Sequence, residues 1–78
     1  MDADEVLDML MQSGIGFRLS SEGFRFSVAI GQGAFRQEAG VGNMKHAVEW
    51  LAGMAEIMYP QSAFAKWALE RDIWKPEN

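Results

Sequence analysis

The stretch AGVGNMKHAVEWL, residues 39–51, holds the residue types best suited to chemistry in this chain. Gly40 and Gly42 run into a helix start with Lys45 in its first turn. Backbone amides at such a junction, joined by a lysine, are a common way to hold phosphate. The spacing completes neither nucleotide motif. Gly42 is followed by Asn43 rather than lysine, and Lys45 by His46, so G-x-x-x-x-G-K-[ST] fails; Lys45 also stands where G-x-G-x-x-G needs its third glycine. Glu49 lies three residues after His46, a spacing that suits a pair on a helix surface. With one histidine, no cysteine and no serine in a nucleophile-elbow pattern, no catalytic set stands out. A histidine-rich metal centre, a thiolate site and a disulfide are excluded by composition. We therefore expect no enzyme, no cofactor and no metal.

Charge is the more informative signal. The net charge is −4, and the seven bases all lie at or beyond Arg18, where seven of the eleven acids balance them. The whole negative excess thus sits in Asp2, Asp4, Glu5 and Asp8. Acids in a first helical turn are favoured by the helix dipole at roughly 0.3–1 kcal/mol each, which accounts for some clustering without any function. Four acids and no base in seventeen residues exceed what capping needs, and such a ridge can steer onto a basic partner. A second surface is basic. Arg18, Arg25 and Arg36 alternate against Phe17, Phe24, Phe26 and Phe35, one arginine per expected strand, and with Lys45 they form a possible secondary site. On a meander these arginines are expected side by side, as an anion or partner patch or as an ordinary solvated sheet face. No aromatic accompanies them for base stacking.

These side chains need elements to position them. Residues 4–13 have helical periodicity, with Val6, Leu7 and Leu10 on one face and Gly14 as the stop. Ile15, Phe17 and Leu19, then Phe24, Phe26, Val28 and Ile30, alternate on either side of Ser21-Glu22-Gly23, which predicts a β-hairpin. A turn at Gly31-Gln32-Gly33 leads to a weaker strand at AFRQEA, with Phe35 and Ala39 facing inward. Asn43 is the expected N-cap of a long helix. That helix carries one inward stripe through Met44, Ala47, Val48, Leu51, Ala55 and Met58, and a second through Trp50, Met54 and Ile57. Pro60 ends it and opens a last helix in which Phe64, Trp67 and Ala68 face inward, with Trp74 either joining them or partly exposed near the C-terminus. Trp50 and Trp67 are expected in the core. The predicted architecture is α+β: α-β-β-β-α-α, a three-stranded antiparallel meander with helices on one face. Residues 1–78 form one small domain, monomer or homodimer. The acidic start and the lack of a membrane-length apolar run predict a cytoplasmic protein that does not associate with membranes.

The order α-β-β-β-α, with a G-x-G turn and a lysine opening the long helix, resembles the double-stranded RNA-binding domain over roughly residues 4–58. The local match is confined to GVGNMK. The resemblance implies shared topology and phosphate contacts from a lysine cluster; here Lys45 takes the first of those positions, His46 the second and Glu49 the third. Direct nucleic-acid binding is therefore the alternative rather than the leading expectation. In size, acidity and want of a catalytic set, the chain also resembles small phage or prophage accessory proteins such as anti-CRISPR inhibitors. That resemblance implies a non-catalytic protein-binding module in which Asp2, Asp4, Glu5 and Asp8 engage the basic, nucleic-acid-binding surface of a protein partner. A further alternative is a self-associating structural protein that uses Trp50, Met54 and Ile57.

Overall fold

The first helix, α1 (Ala3–Gln12), forms because Val6 and Leu10 recur one turn apart and both become fully buried, while Asp4 and Glu5 occupy the favourable N-terminal turn. Its end shows why Gly14 is required. Ile15 N–H donates to Leu10 O at 3.1 Å, Gly14 N–H donates to Met11 O at 3.0 Å, and Gly14 has φ 75°. This is a Schellman stop, closed by contact between the buried side chains of Leu10 and Ile15. The computed structural model describes residues 3–71.

Strands β1 (Phe17–Glu22), β2 (Arg25–Ile30) and β3 (Gln37–Val41) form an antiparallel sheet in the order β1-β2-β3. Phe17 pairs with Ile30 and Leu19 with Val28, so one face presents Phe17, Leu19, Phe26, Val28, Ile30, Ala39 and Val41 to the helices. Val28 and Ile30 on the central strand are completely buried. Helix α2 (Met44–Met58) lies on this face and packs chiefly on β2. Its N-cap is Asn43, whose Oδ1 accepts from His46 N–H at 2.8 Å. Small residues on α2, namely Ala47, Ala52, Gly53 and Ala55, are buried and let neighbouring elements approach closely. Helix α3 (Ala63–Arg71) packs against α1 and α2. The chain is an α+β fold with the element order α-β-β-β-α-α.

Several side chains depart from the sequence expectation. Phe24 lies in the two-residue turn between β1 and β2 and is 97% exposed, because the turn swings it off the face that Phe26 and Val28 share. Phe35 ends a short 3-10 turn, Gly33–Phe35, and is 77% exposed; the third strand starts only at Gln37. Met44 is exposed at the first position of α2. Trp50 and Trp67 are half-buried against the core rather than within it. Pro60 sits in the turn, and Ser62 opens the last helix: its Oγ accepts from Ala65 N–H at 3.1 Å and donates to Tyr59 O at 2.7 Å. Phe64, fully buried, is the largest side chain in the core and meets the Trp67 ring at a centroid distance of 5.7 Å. Trp74 lies outside the described residues.

Candidate interaction surfaces

Asp4, Glu5 and Asp8 are all exposed on α1, followed along the same outward side by Met11 and Gln12. The opposite side is pinned by Val6 and Leu10, 2% and 0% exposed. The carboxylates are thus carried on a fixed rod, with no base in its last turn. Asp2 lies outside the described residues. In water such a ridge acts through long-range attraction, screened over about 8 Å at physiological salt.

The three arginines do not gather as one patch: Arg18 and the Arg36–Glu38 pair share one end of the outer face, and Arg25 stands at the other. The turn at residues 23 and 24 sets Glu22 opposite Arg25, which places Arg18 opposite Ala29, four positions away along β2. At about 3.4 Å per residue this separates Arg18 from Arg25 by roughly 14 Å along the strands. Arg36 precedes β3 and its Nε donates to Glu38 Oε2 at 2.7 Å, an exposed pair that neutralises it locally. Arg25 instead lies over Gly40: a Cβ built there would meet the Arg25 guanidinium at 3.3 Å. Between the charged ends, the outer sheet face carries only Ser20, Ser27, Ala29 and Gly40. Lys45 is exposed in the first turn of α2, and Asn43 already occupies the His46 amide that an anion would use.

A surface that charge patterns did not single out runs along α2 beside β3. One groove, of about 800 Å³, lies between the C-terminal half of α2 and the β2–β3 connection, with Phe35, Met54, Ile57 and Met58 in its lining. A second, of about 380 Å³, is lined by Val41, His46, Glu49, Trp50, Met54 and Ile57. The two adjoin at Met54 and Ile57, which line both, and together they make a trough along α2. Its floor is the stripe of Trp50, Met54 and Ile57 read from the sequence, and Ile57 remains 67% exposed. The added element is Phe35, which the alternation of apolar residues had placed inside.

Chemically the trough offers little beyond contact. His46 and Glu49 line its rim, and among the described residues the His46 side chain forms no ion pair or hydrogen bond. Among the described residues no three His, Cys, Asp or Glu side chains converge as a metal site. Burial pushes the Glu56 carboxyl above the usual carboxylate range, and its Oε2 has no hydrogen-bond partner among the described residues. No helix among the described residues is long and apolar enough to cross a membrane. The chain matches no protein-family model, no curated protein and no solved structure.

Proposed function

We propose that the protein is a non-catalytic binding module: a small acidic inhibitor, anti-CRISPR-like in mode, that blocks a nucleic-acid-binding protein in the cytoplasm. The observation that carries this reading is the α1 ridge, where Asp4, Glu5 and Asp8 are exposed on a helix anchored by Val6 and Leu10. An anchored helix holds its carboxylates at fixed spacing, so a partner's lysines and arginines meet them without a large ordering cost. The ridge would occupy sites built for phosphates, and the bulk of the domain would exclude the nucleic acid sterically. Direct nucleic-acid binding by this chain finds less support, since Arg18 and Arg25 are far apart and Arg36 is paired with Glu38. Several convergent cations are needed before counterion release gives useful affinity.

The test is charge reversal. Asp4→Lys with Asp8→Lys takes the formal net charge from −4 to zero and touches only exposed positions, so the circular dichroism spectrum should be unchanged. Binding to the partner should be lost, and wild-type binding should weaken as salt rises. Glu22→Lys, an exposed change of the same sign on the hairpin, should leave binding intact. Equal binding by the ridge variant and the wild type would sink the proposal.

A further inference from the structure

The apolar trough beside β3 and the open edge of that strand belong to one surface, and we infer that a second copy of this chain occupies it, making a two-fold dimer through antiparallel β3 strands. Because the sheet order is β1-β2-β3, β3 has a neighbour on one side only. A strand pairing with itself about a two-fold axis must choose a centre. Centred on Ala39, all five residues of β3 overlap: Gln37 faces the second copy's Val41, Glu38 faces Gly40, and Ala39 meets its own symmetry mate. Centring on Glu38 would instead oppose two like charges, which is unfavourable.

The Ala39 register is complementary in charge. Gly40 has no side chain, and the Arg25 guanidinium lies over it, at 3.3 Å from where a Cβ would stand. Directly paired residues of antiparallel strands lie about 4.5–5.5 Å apart, so the second copy's Glu38 arrives beside that guanidinium. Arg36 engages Glu38 through Oε2, which leaves Oε1 for Arg25 of the other chain. The pair forms twice, once on each side of the axis.

The same register fills the trough. Phe35 closes the 3-10 turn just before β3, at the end of the strand that the Gln37–Val41 pair brings to the second copy's groove at Val41, His46 and Trp50. Its side chain is 77% exposed in the monomer and Ile57 is 67% exposed. Taking roughly 150–250 Å² for a whole aromatic side chain and somewhat less for isoleucine, these two expose on the order of 300 Å². That reaches the lower end of the largest apolar patches on ordinary monomers, roughly 300–600 Å². The β3 edge, Trp50 and Met54 extend this surface, and a standard interface takes ~800 Å² per chain. The β1 edge ends in Ser20, Ser21 and Glu22, and its own flanking groove, at Met11, Gly16 and Phe17, lies at the other end of the strand.

Analytical ultracentrifugation of the full chain over a micromolar to millimolar range tests this. The wild type should pass from monomer to twice the monomer mass. Phe35→Glu and Arg25→Glu, both at exposed positions, should each raise the dimer dissociation constant by roughly tenfold or more. R25E/E38R should recover association by exchanging the two charges. A chain monomeric throughout, a dimer that survives either single substitution, or a charge exchange that fails to recover would overturn the inference. The α1 variant Asp4→Lys with Asp8→Lys should dimerise like the wild type, so failure of the ridge reading and failure of this one are separable.

Discussion

Alanine at Gly31 and at Gly33 should have very different costs, although both glycines lie in the same connection and both have positive φ. Gly33 has φ 58° and nothing within 4 Å of the position a Cβ would take. An L-residue there lies within the left-handed region, at a penalty of roughly 1–2 kcal/mol. The narrower unfolded ensemble of alanine returns about 0.4–1 kcal/mol. Gly33→Ala should therefore destabilise by about 0–1.5 kcal/mol. Gly31 has φ 93°, and its added Cβ would meet Met58 Cε at 2.8 Å and the backbone oxygen of Phe35 at 3.0 Å. The Met58 methyl can swing away, but the Phe35 carbonyl moves only with the 3-10 turn that carries it. Overpacking of this kind adds typically 1–3 kcal/mol, so Gly31→Ala should lose about 1–4.5 kcal/mol in all, at least about 1 kcal/mol more than Gly33→Ala. For 78 residues the total stability is on the order of 4–12 kcal/mol. In urea, with m near 1 kcal/mol/M, the midpoints of the two variants should differ by at least about 1 M. Coincident midpoints, or a Gly31→Ala chain more stable than Gly33→Ala, would show that the connection is not held as described.

Phe64→Ala removes the largest fully buried side chain together with its contact to Trp67, and should cost about 3–5 kcal/mol, read as a collapsed Tm or loss of the folded far-UV spectrum. Asn43→Ala withdraws the acceptor from His46 N–H and should cost about 1 kcal/mol by urea titration, with no change in oligomeric mass. Glu56 predicts a pH dependence: burial raises its folded-state pKa, so the folded chain binds the proton more readily than the unfolded one. Stability from this group is then greatest at low pH and declines as pH rises through the carboxylate range. Glu56→Gln should raise Tm at pH 7 with a gain that shrinks in acid; a gain that grows in acid contradicts the assignment. Glu38→Gln, which breaks the exposed Arg36 pair, should change monomer stability by less than about 1 kcal/mol in the same titration.

The helices were legible because their signals are local. Val6 and Leu10 at i and i+4, Gly14 after the last periodic residue and Asn43 before the next run each act within one turn, and no tertiary contact overrides them. The hairpin was legible for the same reason. What misled was alternation carried one residue too far. Phe24 has the parity of Phe26 and Val28, yet residues 23 and 24 make the turn itself. Phe35 has the parity of Ala39, but the chain coils through Gly33–Phe35 before β3 begins. The arginine separation follows from simple counting, since a two-residue turn after Glu22 sets Arg18 opposite Ala29. The trough was half visible in the second apolar stripe of α2. Its other wall depends on where Phe35 points, which no period in the sequence encodes.

The role of the α1 ridge is tested most directly by affinity capture from a host lysate treated with nuclease, the wild type and the Asp4→Lys, Asp8→Lys chain run side by side and bound proteins identified by mass spectrometry. The account predicts that the wild type retains a basic nucleic-acid-binding protein after nuclease and that the reversed chain does not. Capture that disappears with nuclease, or that is equal for the two chains, would contradict it.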